Sequence, residues 1–404
     1  MFNSLKNQKI KEGVVSVFDI GSASVGGALV LLSEGKKPKI LYSTRKQMSF
    51  QDSLDIKKFT TSMLLSLAET VSDLEKVGFS HLNFLKVKNK GIRECFCFFS
   101  SPWNVSYTKI IEVNKENPFT VSSELIDSFV RKEEEDFLNS ELDILDKNNG
   151  AELMDRKIIQ FKLNGYKVNN PYRKKINSAE VSLFLSVANK NILDKVENAI
   201  GKSFHLEKLH VHSFTLAGFL SLRDLFDGED DFIFLDVSGE VTDISFVKDG
   251  VIRETQTFPL GRNSFIRKII KEFNNTYGLS VSMIKSLQSG ELDEVTKTKL
   301  NNSLLEVKKQ WSDFLERGML ELSDGSILPK NIFILADDDI GKLLKELVEE
   351  EKFVKLVFPD YNKVANPILI NSQKIDDFCN FGGNKDKDVF LGIETLFINR
   401  LFGN

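Results

Sequence analysis

FLDVSGEVTDISFVKDG, residues 234–250, reads as a buried strand, a turn with an aspartate at each end, and a second strand closed by Asp-Gly. Hydrophobic runs broken by Gly and Asp also write ordinary hairpins, so one copy does not separate a phosphate clamp from a plain chain reversal. A second copy stands near the N-terminus: VVSVFDIGSASVGGALVLL, residues 14–32. Shifting it by 217 positions lays Asp19 on Asp236, Ile20 on Val237, Leu29 on Phe246 and Val30 on Val247. Each hairpin leads into another extended piece and then an amphipathic helix. ILYSTRKQMSF precedes LDIKKFTTSMLLSLAETVSDLEKV, and VIRETQTFPLGRNSF precedes IRKIIKEFNNTYG. This repeated order predicts two related α/β lobes whose turns face each other across one ligand position.

The 404 residues exceed one simple core, in keeping with two lobes or more. With 54 basic and 58 acidic residues the net charge is -4, so no strong field draws in nucleic acid or anionic lipid. Cys95 and Cys97 lie two apart in a strand-like run and cannot bridge each other, and with Cys379 they make up a thiol set suited to a reducing cytoplasm. The N-terminus MFNSLKNQKIKEG lacks a secretion signal's apolar core, and no window holds the roughly 20 apolar residues of a membrane span. The expected location is the cytoplasm, with any membrane contact peripheral.

Phosphate chemistry gives the duplicated turns a use. A tight turn aims backbone N–H groups at an anion, glycine admits close approach, and an aspartate at the strand end can hold the water shell of Mg²⁺. Asp19, Gly21 and Ser22 suit that role in the first turn, and Asp236, Gly239, Thr242 and Asp243 in the second. Asp19 and Asp236 are the carboxylates placed for Mg²⁺.

These residues resemble the actin, hexokinase and chaperone-type ATPase superfamily, whose first phosphate turn reads like FDIGS and whose second reads like DVSGEVTD. PKNIFILADDDIGKLLKELVEEE, residues 329–351, resembles the third piece of that fold, a strand, turn and helix that contact adenosine. LHVHSFTLAGFLSLRDLF resembles its connecting helix, and TFPLGRNSF resembles a segment that reads close to PLGGN in relatives. The resemblance implies a two-lobed, ribonuclease-H-like duplicated α/β fold binding ATP or ADP with Mg²⁺. It narrows to the FtsA and PilM branch, which carries a small inserted α/β subdomain. On that pattern residues 1–89 open the first lobe, 90–175 form the insertion beginning with strand ECFCFFSS, and 176–228 return to the first lobe. Residues 229–372 form the second lobe, with a mobile tip at 262–330, and 373–404 return to the first lobe. The stretch KLNGYKVNNPYRKKINSAEVSLFLSVANKNILDKVENAI is more similar to FtsA than to PilM.

Departures from the family pattern bear on the nucleotide. Ser238 and Glu240 stand where relatives show glycine, and Asp337, Asp338 and Asp339 occupy the turn that resembles the adenosine turn. A carboxylate about 5 Å from a phosphate costs roughly 3 kcal/mol at an effective dielectric of about 20. Where relatives carry a water-positioning acid or amide, this chain offers His212, Ser213 and Thr215; His212 is the candidate base. His205, His210 and His212 form either a metal set or, on a strand edge, structural histidines. Lys285 matches a lysine set against the nucleoside, while Met283 replaces its neighbouring glutamate. The expected nucleotide set is therefore Asp19, Gly21, Ser22, Asp236, Gly239, Thr242, Asp243, Gly261 and Lys285, with ATPase turnover weak or absent.

The last stretch, KDVFLGIETLFINRLFGN, places Phe390, Ile393, Phe397 and Leu401 on one helical stripe, as a closing core helix or an amphipathic membrane anchor would. Three functions follow from the resemblance. The first is an FtsA-like cell-division scaffold that polymerises and links an FtsZ-type ring to the membrane. The second is a PilM-like platform for type IV pilus assembly proteins, and the third an active ATPase or small-molecule kinase.

Overall fold

The computed structural model describes residues 12–85, 92, 94–145, 150–204, 208–323, 327–350, 353, 357, 365–382 and 387–403, with the backbone alone over 141–145. In the first lobe β1 (Glu12–Ile20), β2 (Ser24–Ser33) and β3 (Lys39–Gln47) form an antiparallel meander. β4 (Glu94–Phe99) and β9 (Lys208–Ser213) add parallel to β1, giving the order β3-β2-β1-β4-β9. In the second lobe β10 (Phe232–Val237), β11 (Thr242–Lys248), β12 (Val251–Phe258), β13 (Asn331–Ala336) and β14 (Asn366–Ile370) repeat that plan as β12-β11-β10-β13-β14. The duplication extends to an irregularity. The β2–β3 ladder slips register between Leu29 and Val30, and the β11–β12 ladder slips between Phe246 and Val247, the residues that the sequence shift superposes. A β-bulge bends and twists a strand, so both meanders curl at the same point.

Helices cover both sheets. α1 (Ile56–Asp73) starts at Asp55, whose side chain accepts the Lys58 N–H, and buries Phe59, Met63, Leu67 and Val71 at four-residue spacing. It continues through a π turn, Leu74–Gly78, into α2 (Phe79–Phe84). α3 (Ser123–Leu145) belongs to the insertion, and α4 (Lys190–Gly201) packs beside α1. α5 (Phe214–Leu225) is followed, in the second lobe, by α6 (Arg262–Phe273), α7 (Tyr277–Ser289), α8 (Glu294–Ser323) and α9 (Gly341–Glu349). The closing helix α10 (Val389–Gly403) packs on α5, and that pair lies between the two sheets. One apolar cluster accordingly joins Val17 and Phe98 of the first sheet, Phe219 and Phe397 of the helix pair, and Phe234 and Phe333 of the second sheet. The apolar stripe of α10 is thus core: Leu391, Ile393, Phe397 and Ile398 are buried. Among the described residues no helix is long and apolar enough to cross a membrane.

β5 (Asn104–Thr120), β6 (Ala151–Leu163), β7 (Tyr166–Val168) and β8 (Lys175–Asn189) form an antiparallel sheet in the order β5-β8-β6-β7, and α3 covers one face. Two strands differ from the sequence-based expectation. ECFCFF does not open the insertion but pairs with β1, since a run buried at Cys95 through Phe99 needs cover on both faces, which only a central parallel strand receives. β8, expected in the first lobe, is instead a central strand of the inserted sheet. The expected tip at 262–330 holds the three helices α6, α7 and α8, with Trp311 of α8 fully buried against the second sheet.

A Cβ built on Gly218 of α5 would lie 2.6 Å from the Phe234 ring of β10. Gly218→Ala should therefore destabilise the protein by up to about 2 kcal/mol, because overpacking costs roughly 1–3 kcal/mol while the helix preference of alanine returns about 1. Urea unfolding checks this; a stabilised variant would mean that α5 and β10 are not so close.

Candidate functional site

The turn that follows β1 and the turn that follows β10 meet in the middle of the molecule. Ser22 Oγ lies 2.8 Å from Ser238 Oγ and accepts the Glu240 backbone N–H at 2.8 Å. A Cβ on Gly239 would stand 2.3 Å from the Ala23 Cβ and 2.8 Å from its backbone nitrogen. The close approach that glycine allows is thus made by the opposite lobe. Other turn amides are also committed within the protein: Gly21 N–H donates to the Ser24 carbonyl and Ser238 N–H to the Val241 carbonyl, each at 3.1 Å. What remains between the turns is a cavity of about 20 Å³, bordered by Asp19, Ser22, Arg45, Ser238, Gly239 and Asp337.

Carboxyl groups from both lobes converge there. Asp19, at the end of β1, accepts from Arg45 Nη2 at 2.6 Å, and the same guanidinium binds Asp388 at 2.6 Å and Ser24 Oγ at 2.9 Å. Asp388 also caps α10 by accepting the Leu391 N–H. Burial works against the charge on Arg45, but Asp388 and Asp19 outweigh it and hold the guanidinium firmly protonated. Burial raises Asp19 despite Arg45. Glu394, fully buried on α10, is pushed well above the usual carboxylate range by burial and then by Asp19. Asp19 Oδ1 and both Glu394 oxygens have no donor. A proton on Glu394 supplies the missing hydrogen bond between them. Across the cleft Asp236, with Oδ1 also lacking a donor, is raised strongly by burial and then by Asp243, Asp19 and Asp337.

The run Asp337–Asp339, between β13 and α9, has its own cation. Arg262, the first residue of α6, donates from Nε to Asp339 Oδ1 at 2.8 Å, reaches Asp337 at 3.3 Å and donates from Nη1 to the Tyr277 hydroxyl at 2.5 Å. α7 closes on the same turn, where the Gln288 side chain donates to the Asp339 carbonyl. At the outer rim Arg267 donates to the Gln51 carbonyl at 3.0 Å, lies 5.3 Å over the Phe50 ring and binds Glu240 at 2.8 Å, while Phe50 packs on Tyr277 at 5.1 Å.

The expected site residues divide accordingly. Asp19, Gly21, Ser22, Asp236 and Gly239 come together. Gly261 lies behind the second turn, where a Cβ would meet the Ser238 carbonyl at 2.4 Å. Thr242 points into the second lobe, donating to the Leu260 carbonyl and accepting from Trp311. Asp243 accepts from Thr257 at 2.5 Å and from Ser101, at the entry to the insertion. Lys285 is exposed on α7 beside Asp338. His212 is not near the turns: Nδ1 lies 2.8 Å from Asp155, whose carboxylate also accepts from Ser186 and the Ser213 N–H. His210 pairs with Glu94 and stacks on Phe96, and His205 lies outside the described residues. Among the described residues no group of three or more His, Cys, Asp and Glu is arranged to hold a metal ion. Arg45, Asp388, Glu394, Arg262 and Arg267 were not anticipated. Two signals were available: PLGRN where relatives read near PLGGN, and a lone glutamate inside FLGIETLFI.

No family model and no curated protein matches the sequence. A solved structure of a PilM-PilN type IV pilus biogenesis complex matches over 98% of this chain and 98% of that one, with a TM-score of 0.60 and 14% identity. A Bacteroides thetaiotaomicron protein described as having an actin-like ATPase fold matches over 98% of both chains with a TM-score of 0.39 and 9% identity. The chain has the actin-like ATPase fold. EutJ, an ethanolamine utilization protein from Carboxydothermus hydrogenoformans, matches over 96% of this chain and 89% of its own, with a TM-score of 0.43 and 13% identity. In this example of the actin-like fold the turns touch, Asp19 and Glu240 pair with internal arginines, and a cavity of about 20 Å³ has space for one water but not for a phosphate chain. The residues as arranged do not fit ATP or ADP with Mg²⁺.

Arg45→Met should cost about 3–5 kcal/mol in urea unfolding, because it strands the buried Asp19 and the half-buried Asp388 without their cation, and adding Asp19→Asn should recover part of the loss. Burial pushes Asp243 up to about 6 from 3.8, against the hydrogen bonds from Thr257 and Ser101. The folded protein therefore keeps a proton that the unfolded chain releases. The stability this contributes is complete below about pH 4 and lost as pH rises through about 6. Asp243→Asn should remove that component, so the stability of the wild type relative to the variant should fall between about pH 4 and about pH 6.5; a difference that is constant with pH would contradict the assignment.

Proposed function

We propose that this chain is an assembly platform of the PilM kind, working with a pilus assembly protein. One observation carries the reading: the match to the PilM chain runs over 98% of both chains, so both lobes and the inserted antiparallel subdomain have counterparts. The structural comparisons support this alternative better than the cell-division role ranked first from the sequence. The cleft is compatible with a scaffold, since its two turns touch and the cavity left between them, about 20 Å³, has no room for a substrate. In this reading the chain acts through its surfaces, and the two lobes with their insertion hold those surfaces in fixed relation.

Deleting the gene should abolish pilus assembly and leave cell length unchanged, and the purified chain should co-elute with the PilN-type protein of the same genome. Long undivided cells that still assemble pili would point to the division scaffold instead. Failure to form the complex, with normal piliation, would remove the pilus reading.

A further inference from the structure

We propose that this chain holds its lobes closed by direct contact between its own turns and side chains, with no nucleotide required to bring them together. The contacts run the full depth of the cleft. At the base, α5 and α10 bind both sheets in one apolar cluster. At the waist, Ser22 meets Ser238 and Ala23 meets Gly239. At the rim, Arg267 bridges Gln51, Phe50 and Glu240, and Phe50 packs on Tyr277. Within each lobe, acids that border the cleft are met by the chain's own arginines, so no outside cation is needed to neutralise them. Arg45 spans Asp19 and Asp388, while Arg262 answers Asp337 and Asp339.

The insertion adds a brace outside the cleft. Thr255 of β12 donates to the Ser106 carbonyl of β5 at 3.1 Å, and Gln160 of β6 donates to the Asp249 carbonyl at 3.0 Å. Lys162 pairs with Asp249 at 3.4 Å and Lys167 with Asp230 at 3.0 Å. A subdomain that branches from the first lobe thus also holds the second. Opening the cleft would break this brace as well as the turn contact, so hinge motion has no cheap route. The inference is independent of the pilus reading, because it concerns the lobes and not the partner.

Two measurements test it on the full chain. The first is calorimetric and thermal-shift titration with ATP·Mg²⁺ and ADP·Mg²⁺; no saturable heat and no rise in Tm beyond about 1 °C are expected, and one-to-one binding would overturn the proposal. The second is a spin-label distance across the rim between Leu54→Cys and Leu279→Cys, both exposed on opposite lobes, with the native cysteines buried and unlabelled. A single narrow distance, unchanged by nucleotide, is expected. Gly239→Ala should lengthen it, since the added methyl can be relieved only by parting the turns; should that variant fail to fold, Arg267→Ala should broaden the distribution by loosening the rim. A wild-type distribution that is already broad, one that shifts with nucleotide, or one that the folded variant leaves unchanged would overturn it.

Discussion

The turn after β1 and the turn after β10 press their backbones together, Gly239 against Ala23 and Ser22 against Ser238. Protein interiors are packed as densely as organic crystals, so an atom added at such a contact has to move something large. Here the movable body is a lobe. The glycine at 239 is therefore a steric condition on the relation of two sheets, and the arrangement of α5, α10 and the insertion is consistent with that condition.

The charges in the cleft obey a second constraint. Each carboxyl group brought from water into this interior costs several kcal/mol unless it is paired or protonated. Arg45 serves Asp19 and Asp388, Arg262 serves Asp339 and Asp337, and Asp236 and Glu394 are left without a cation. For those two burial favours the neutral form, which is why both are raised so strongly. A buried ion pair is weak evidence of net stability, but it penalises any rearrangement of its lobe that would leave a charge unpaired. Arg45 thus fixes β1 and β3 against the start of α10, and Arg262 fixes α6 against the turn after β13, each within its own lobe.

The departures noted along the sequence gain a common meaning in three dimensions. Glu240, which stands beside the second turn, is held by Asn263 and Arg267 and not directed at a ligand. Asp337 and Asp339 after β13 and the arginine of PLGRN look unrelated in the chain, yet they form one ion-paired group. Each substitution would be costly alone, and in combination they are satisfied. Residues 77 positions apart cannot reveal such a pairing by periodicity or spacing, because neither quantity measures distance across a fold.

The sequence by itself determined the duplication, the two-lobed α/β class, the convergence of Asp19 and Asp236, and the core role open to the last helix. Those features follow from local pattern: strands buried on both faces, a repeat at constant offset, and apolar stripes at helical spacing. Only the tertiary structure decided that β4 belongs to the first sheet and β8 to the inserted one, that Thr242 points to Trp311, and that the two turns contact each other. A strand's partner and a turn's separation from its twin depend on how whole sheets pack. Hydrophobic pattern shows that a face is buried, while the surface that buries it is set by shape and charge brought together from distant parts of the chain.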